Sequence, residues 1–294
     1  MKSLLDELKS GRTLVSDGAW GTFLHKLGLQ PGECPELWNV THRAEVFSIA
    51  KSYIDAGADM ILTNSFGGSP YKLEHFGLKD RAIELNKAAA EISRDAAGDD
   101  HFVLGSIGPT GALLIMGQIS EQELHDGFSI QAEALRQGGV NAICVETMSA
   151  IDEASIAVKA AKESTGLDVV CTFTFEKTIL GEYKTMMGVS PTEMVKAVKE
   201  AGASIIGSNC GNGFEQMIEI VREMRSIDPT TPILIHANAG KPNYVEGKTV
   251  FPDTPVKMAA VTPELIRAGA NIIGGCCGTT PEHIKAIVNA IRVG

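Results

Sequence analysis

Eight short apolar segments recur along the chain, and each follows a helix-like stretch and a turn of small residues. Each segment ends in polar or glycine residues. The phrases that contain them begin at Thr13, Ala56, Val103, Gly138, Gly166, Ala201, Thr231 and Ala268. Their apolar residues are continuous rather than alternating, which is typical of parallel strands that are covered on both faces.

The stretches between these strands have helical patterns. Residues 80–97 and 151–163 are rich in Ala, Glu, Lys and Ile, with a period of about 3.6 residues. Helix starts are indicated at Ser190 and Thr280, where a capping residue precedes Pro and an early acid. Residues 1–11 form a further short amphipathic helix pattern. Strands and helices therefore alternate throughout the chain.

Eight strand–helix units favour a closed barrel. The predicted fold class is α/β, a (β/α)8 TIM barrel that forms a single domain over residues 1–294. The alternative is an open Rossmann-like sheet, but no GxGxxG motif follows an early strand. The longest irregular stretches are residues 108–121 and 240–255. Both directly follow a predicted strand, so we expect them at the active-site face of the barrel.

The composition indicates an acidic protein with a substantial core. Of the 294 residues 44% are apolar, and the formal net charge of -10 disfavours nucleic acid as a partner. The N-terminus lacks the features of a signal peptide, and no apolar run reaches the roughly 18 residues of a membrane helix. We therefore expect a cytoplasmic protein with no membrane partner. Six cysteines are too few for a disulfide framework, so we expect buried thiols or metal ligands.

Three of the six cysteines stand where predicted strands end. Cys210 ends the sixth strand, and Cys276 and Cys277 end the eighth. One strand lies between them, which separates their backbones by roughly 10 Å, and side chains that lean toward the barrel axis can span that gap. Three thiolates leave the fourth position of a tetrahedral Zn²⁺ ion open, which is the pattern of a catalytic rather than a structural site.

The other cysteines have simpler interpretations. Cys144 and Cys171 lie inside apolar strands, where a thiol behaves as a small apolar side chain, and Cys34 is assigned no role. Cys276 and Cys277 could instead form a redox disulfide or pack as two thiols. The glycines on both sides of this pair favour a metal site, because they allow the close backbone approach that adjacent ligands require.

A zinc ion held by three thiolates is suited to activating a fourth thiol, which points to alkyl transfer. Asp17 and Glu146 could hold a substrate ammonium, and the backbone amides of Gly18 and Ala19 could take its carboxylate. Each acid could instead be a hydrogen-bonding partner at the barrel mouth. We expect His236 to be a structural histidine with satisfied hydrogen bonds. Further strand-end residues expected at the substrate are Ser106, Asn209 and Asn238.

Several motifs, from about Asp17 to the C-terminus, resemble those of the homocysteine S-methyltransferase family. They are DGAWGT at Asp17, GSIGPTG at Gly105, VET at Val145, NC at Asn209, NAGKP at Asn238 and GGCCGTTPEHI at Gly274. The last motif is the most specific. Residues 238–251 and the GSIGPTG loop look most similar to the homocysteine-binding module of cobalamin-dependent methionine synthase.

The resemblance implies a (β/α)8 barrel in which the three strand-end cysteines bind zinc. It also implies that Asp17 and Glu146 hold the amino group of homocysteine. In the family, the Asn of the NAG motif, here Asn238, lies near the metal and fills its open position before the substrate arrives. The implied reaction is methylation of homocysteine to methionine.

The methyl donor is left open by the sequence. Full methionine synthase has folate, cobalamin and activation modules, whereas these residues make one barrel, so we expect a methyl-corrinoid (cobalamin) on a separate protein. The alternatives are S-methylmethionine or another small donor, a catabolic thiol or thioether:corrinoid methyltransferase, and a non-catalytic zinc-stabilised barrel. Met187 stands where the family pattern has Thr or Ser, which leaves the pocket near the fifth strand undefined.

Overall fold

The computed structural model describes residues 3–112, 114–245 and 248–293. Eight parallel strands form one sheet, in which β2 to β8 pair in chain order and β8 pairs with β1. The strands are β1 (Leu14–Val15), β2 (Met60–Leu62), β3 (Phe102–Ile107), β4 (Ala142–Met148), β5 (Asp168–Phe173), β6 (Ile205–Asn209), β7 (Ile233–Ala237) and β8 (Ile272–Gly275). The predicted (β/α)8 barrel is confirmed.

Individual hydrogen bonds bridge the gap between β1 and β2. The Asp59 amide donates to the Val15 carbonyl at 2.7 Å, and the Val15 amide donates to the Asp59 carboxylate at 2.8 Å. Nearer the carboxyl ends of the strands, the Leu62 amide donates to the Asp17 carboxylate at 2.8 Å. Asp17 therefore satisfies a backbone donor at the point where the barrel closes.

Helices connect the strands and cover the outside of the barrel. Their bounds are Leu4–Leu8, Gly21–Leu27, Trp38–Thr41, Arg43–Asp55, Pro70–Glu74, Ala82–Ala97, Glu121–Gln137, Ile151–Thr165, Pro191–Glu200, Phe214–Ile227, Pro255–Ala268 and Pro281–Val293. Short 3₁₀ turns occur at Pro35–Leu37, Lys79–Arg81 and Leu114–Met116. Among the described residues, no helix has the length and apolar character needed to cross a membrane.

The predicted helix signals agree with these bounds. Ser190 caps its helix through a capping box, in which its hydroxyl accepts from the Glu193 amide and the Glu193 carboxylate accepts from the Ser190 amide. The helix after Thr280 begins at Pro281, as predicted. The N-terminal pattern forms the helix Leu4–Leu8, while the first two residues of that prediction lie outside the described ranges.

The two long irregular stretches follow strand ends as expected. Residues 108–121 follow β3 and contain the turn Leu114–Met116, with Leu113 outside the described residues. Residues 240–255 follow β7, and residues 246–247 lie outside the description. Both stretches therefore belong to the face on which the strands end.

Two antiparallel hairpins on this face were not anticipated from the sequence. Asn243–Val245 pairs with Lys248–Val250 after β7, and Glu176–Lys177 pairs with Tyr183–Lys184 after β5. Their strands are two or three residues long, and Glu176–Lys177 and Asn243–Val245 are exposed. Segments this short and exposed carry no burial pattern that a periodicity analysis can detect.

The barrel interior is apolar at its base and polar at its top. Interior side chains come from every strand and include Leu14, Met60, Leu104, Cys144, Val170, Ile205, Leu234 and Ile272. Side chains two positions apart point the same way along a strand. The residues two positions beyond Leu104, Cys144 and Leu234 are Ser106, Glu146 and His236, so a polar layer lies directly above the apolar one. Cys144 and Cys171 are both fully buried, as predicted for packed thiols.

The small-residue turns before β2, β4 and β8 share one hydrogen-bonding arrangement. Each ends in a polar residue, Asp59, Asn141 or Asn271, whose side chain accepts from the amide of the first or second residue of the preceding strand. The Val103 amide reaches Asn141 at 2.8 Å, and the Ile233 amide reaches Asn271 at 2.9 Å. These bonds fix the register of neighbouring strands and hence the height at which each strand ends.

Candidate active site

The three strand-end cysteines meet above β6 and β8. Their sulfur atoms all lie within 4.8 Å of one another, and Cys277 Sγ is 4.0 Å from the sulfurs of both Cys210 and Cys276. A tetrahedral Zn²⁺ ion with Zn–S bonds of about 2.3 Å places its sulfur ligands about 3.8 Å apart. A disulfide requires about 2.05 Å between sulfurs. The cluster therefore fits a metal ion with little rearrangement.

Backbone geometry turns these sulfurs toward one point. Cys210 follows β6 with a left-handed φ of 62°, and its amide donates to the His236 carbonyl at 2.9 Å. The Cys276 amide donates to the Ala237 carbonyl at 2.7 Å, so β7 anchors both sides of the cluster. A Cβ on Gly275 would lie 2.3 Å from a neighbouring threonine hydroxyl. Glycine is therefore required immediately before the cysteine pair.

The thiols share hydrogen bonds, so their proton affinities differ. Cys276 and Cys277 donate to Cys210, which lowers the pKa of Cys210 to about 3. The same contacts raise the pKa of Cys277 to about 12 and also raise the pKa of Cys276. These contacts favour the thiolate form of Cys210 and disfavour it in its two neighbours. A divalent cation would displace the protons of the thiols and stabilise three thiolates side by side.

Asn238 adds an unpaired oxygen beside the thiols. Its side chain is buried and hydrogen-bonds to Cys210, while its Oδ1 has no partner among the described residues. Leaving a buried acceptor unpaired costs about 1–3 kcal/mol, and zinc accepts oxygen as well as sulfur ligands. Three sulfurs with an orphaned carboxamide oxygen next to them form a donor set that fits Zn²⁺.

Asp17 is a buried carboxylate at the end of β1. Its Oδ2 accepts from the Trp20 indole and from the Leu62 amide, both at 2.8 Å, and its Oδ1 accepts from the Ser16 hydroxyl at 3.1 Å. Burial raises the pKa of Asp17 to about 6, although these hydrogen bonds oppose the shift. Asp17 is recognisable as a candidate site residue from the sequence, whereas the role of the Trp20 indole, three residues later, in orienting it is not.

Glu146 is the second buried carboxylate and lies at the top of β4. The Ser106 hydroxyl donates to its Oε1, so Ser106 positions the acid. Burial raises the pKa of Glu146 to about 7, and the negative charges of Asp17 and Cys210 add to the shift. Among the described residues, the hydrogen-bond partners of both acids are neutral groups. The pair is therefore an anionic site without a countercharge.

One cavity of about 560 Å³ contains both acids and the thiol cluster. Its lining also includes Gly18, Ala19 and Ser106, together with the apolar faces of Trp20 and Phe66. It opens at the carboxyl ends of the strands, where catalytic groups of such barrels are placed. A ligand in this cavity can therefore contact a metal at one end and carboxylates at the other.

The predicted carboxylate-binding amides are not equivalent. The Ala19 amide already donates to Oγ1 of Thr279 at 3.0 Å, and the Ala19 carbonyl accepts from the Tyr53 hydroxyl at 2.8 Å. The backbone of Ala19 is thus engaged within the protein. Gly18, which also lines the cavity, is the better placed of the two for a substrate carboxylate.

The structure does not bring the Asn209 side chain to the cavity. Asn209 is fully buried, and its Oδ1 accepts from the Thr147 amide at 2.8 Å and from the Thr172 hydroxyl at 2.7 Å. Its Nδ2 donates to the Thr147 hydroxyl at 2.7 Å. Thr147 has a left-handed φ of 62°, which a β-branched residue rarely adopts. Asn209 therefore holds the turn after Glu146, and its side chain is not among those that line the cavity.

Replacing Asn209 with alanine is expected to destabilise the fold by about 2–4 kcal/mol, because it leaves the Thr147 amide and the Thr172 hydroxyl unpaired. Urea denaturation measures the change. The variant Thr172→Val removes only one of the three bonds and keeps the side-chain shape, so its cost should be about 1 kcal/mol. Equal stability of the two variants would contradict this assignment.

Met187 lies apart from the thiols and acids. It lines a second cavity of about 580 Å³ on the same face, together with Met186 and Lys184. Thr147 lines both cavities, so the two adjoin beside Glu146. The second cavity is built mostly from the hairpin after β5 and from loops, which have no periodic signal in the sequence.

Comparison with known proteins agrees with this geometry. A family model described as homocysteine S-methyltransferase matches residues 14–291. The chain is 30% identical to methionine synthase of Mycobacterium tuberculosis over 98% of its own length. It is 29% identical to methionine synthase of Mycobacterium leprae over 97% of its own length. It spans only 25% of the length of either relative. The metallated form of the homocysteine methyltransferase MmuM from Escherichia coli has the same fold, with a TM-score of 0.79 at 22% identity over 97% of this chain and 98% of that chain. The chain belongs to the homocysteine S-methyltransferase family.

Proposed function

We propose that the protein is a zinc-dependent homocysteine S-methyltransferase that produces methionine. The observation that carries the proposal is a single cavity in which three convergent thiols face two buried carboxylates that lack a cationic partner. The thiols suit a soft divalent ion, and the carboxylates suit an ammonium. Homocysteine has both a thiol and an ammonium, so it complements the two ends of the cavity.

The chain's own residues bind and orient this substrate. Asp17 and Glu146 accept hydrogen bonds from the ammonium, Ser106 and Trp20 hold the two carboxylates in place, and Gly18 receives the substrate carboxylate. The three cysteines, with Asn238 beside them, would hold Zn²⁺, which lowers the pKa of a further thiol and keeps its sulfur nucleophilic. The reaction forms one carbon–sulfur bond and releases the donor without its methyl group.

For the methyl donor we propose a methyl-corrinoid on a separate protein. It is supported by the likeness to methionine synthases and by exposed apolar side chains on the two hairpins of the face on which the strands end. Ile179 and Leu180, at the tip of the hairpin after β5, are 104% and 81% exposed, and Tyr244, on the hairpin after β7, is 79% exposed. Exposed apolar side chains on a functional face are typical of protein-binding surfaces.

A small donor such as S-methylmethionine is the second candidate, and the second cavity favours it. That cavity adjoins the first at Thr147 and is large enough for a small molecule. A catabolic methyltransferase that acts on a simple thiol is favoured less. Such a substrate has no ammonium, and the buried pair of Asp17 and Glu146 would have no partner.

The direct test is to incubate the zinc-loaded protein with homocysteine and a panel of methyl donors and to assay methionine. The panel contains methylcobalamin, a methyl-corrinoid protein, S-methylmethionine and betaine. Methionine formed from the corrinoid donors supports the first proposal, and methionine formed only from S-methylmethionine or betaine supports the second. No methionine from any donor would contradict the proposed function.

The double variant Ile179→Glu/Leu180→Glu distinguishes the two donor classes. It should lower kcat/KM with a methyl-corrinoid protein by about tenfold or more, because it places charge in the proposed docking surface. Transfer from S-methylmethionine should not change. Ile227→Glu, at the end of the helix Phe214–Ile227 on the opposite face, is the matched control. An equal loss with both donors would show that the hairpin serves another role.

A further inference from the structure

His236 is a buried titratable group that the proposed chemistry does not use. Its side chain is 3% exposed and lines the main cavity, and its Nε2 has no hydrogen-bond partner among the described residues. The expectation of a structural histidine with satisfied hydrogen bonds is therefore wrong. A buried polar atom without a partner is unfavourable in the free protein, and a ligand that pairs with it recovers that free energy.

The ring lies in the polar layer on the floor of the cavity, beside the end of β1. In the sheet, His236 is in register with Asn209 of β6 and Gly274 of β8. A Cβ on Gly274 would lie 2.8 Å from His236 Cδ2 and 2.8 Å from the Asp17 carbonyl oxygen. Glycine at this position therefore leaves room for the imidazole, and the ring edge and the Asp17 backbone both border the space beside Gly274.

The surroundings of the ring determine what it can bind. The carboxylates of Asp17 and Glu146 line the same cavity as the ring. No acidic side chain among the described residues pairs with the buried ring, so burial favours its neutral form. A neutral imidazole accepts one hydrogen bond through the nitrogen that carries no hydrogen. The ligand that suits both the neutral ring and the nearby anions is a cationic N–H donor.

We propose that His236 Nε2 accepts a hydrogen bond from the substrate ammonium, beside the carboxylates of Asp17 and Glu146. The assignment rests on the proposed function, which places an amino-acid thiol in this cavity. An ammonium has three N–H donors, and these three side chains give it three acceptors. His236 is then a specificity-determining residue that favours α-amino thiols over simple thiols.

A role as a metal ligand fits the ring less well. Within the described residues, the group of mutually close ligand atoms contains the sulfurs of Cys210, Cys276 and Cys277 and no nitrogen of His236. A role toward the substrate carboxylate would require Nε2 to donate rather than accept. The three roles can be distinguished with thiols that lack either the carboxylate or the ammonium. A metal ligand, a donor to the carboxylate and an acceptor from the ammonium each predict a different change in affinity for them.

The test uses two variants of similar side-chain length, His236→Gln, which keeps an acceptor, and His236→Met, which has no strong one. Zinc-loaded wild type and both variants are titrated calorimetrically with L-homocysteine, with 3-aminopropane-1-thiol, which lacks the carboxylate, and with 4-sulfanylbutanoate, which lacks the ammonium. Zinc content and thermal melting check that each variant is folded and metal-loaded. If His236→Met does not fold, His236→Leu is titrated with the same ligands.

The methionine variant should bind homocysteine and 3-aminopropane-1-thiol about 10- to 100-fold more weakly, as expected for a hydrogen bond to a charged group. Its affinity for 4-sulfanylbutanoate should be unchanged, and the glutamine variant should resemble wild type. The assignment would be overturned by an equal loss of affinity for all three thiols, by a loss of affinity for 4-sulfanylbutanoate alone, or by no loss of affinity at all. If wild type itself binds none of the thiols, the proposed function fails together with it.

Discussion

Replacing Cys276 with alanine is expected to abolish zinc binding and methyl transfer together. Cys276 is one of three sulfurs that converge within 4.8 Å, and its removal leaves two thiols and the Asn238 oxygen as the nearby donors. Loss of a metal ligand lowers affinity far more than the 10- to 100-fold typical of an outer contact. We expect less than one-tenth of an equivalent of bound zinc and a drop in activity of roughly 1000-fold or more. Elemental analysis of the purified protein and a methionine assay measure the two quantities.

Cys171→Ala is the matched control for this experiment. Cys171 is also buried and also lies in a barrel strand, but it packs in the apolar layer between sheet and helices. Its replacement should cost about 1 kcal/mol of stability through lost packing, while zinc stays at one equivalent and activity is retained. Full zinc content and activity in the Cys276 variant would refute the proposed metal site.

The cysteine cluster could be predicted from the sequence because strand ends of a parallel barrel share one face. Once eight strands are recognised, Cys210 and the Cys276–Cys277 pair can only stand at the top of β6 and β8, and Cys144 and Cys171 can only stand within strands. The order of the elements alone places these cysteines, without any knowledge of side-chain conformation. The structure adds the sulfur separations, which decide that one ion can be shared.

The roles of several neighbouring residues could not be predicted, because they depend on partners far away in the chain. The Ala19 amide is engaged by Thr279, which is 260 positions later, and Asn209 bonds to Thr147, 62 positions earlier. Strand-end position places a residue on the correct face but does not say whether its side chain turns inward to the cavity or sideways to a neighbour. For His236, the missing partner becomes apparent only when its surroundings are known.

Glu146→Gln is expected to weaken homocysteine binding by about 100-fold and to stabilise the metal-free protein. The two effects have one cause, since a buried carboxylate without a countercharge is unfavourable until an ammonium arrives. Glutamine keeps an oxygen for the Ser106 hydroxyl, so the local packing is preserved. Calorimetric titration measures the affinity, and urea denaturation measures the stability. Glu153→Gln is the control, because Glu153 is also buried with a raised pKa but lines only the second cavity.

The pH dependence of stability follows from the sign of the Glu146 shift. Burial raises its pKa from 4.5 to about 7, so the folded state binds the proton more tightly than the unfolded state. The metal-free wild type should therefore lose stability, on the order of 3 kcal/mol from this group, as the pH rises from about 4.5 to about 7, with no further change from Glu146 above that range. Glu146→Gln lacks this decline, so the two stability curves should converge at low pH and separate toward pH 7. Homocysteine affinity should change in the opposite direction, since the deprotonated acid binds the ammonium. Parallel stability curves for the two proteins across this range would show that Glu146 is not held as an uncompensated carboxylate.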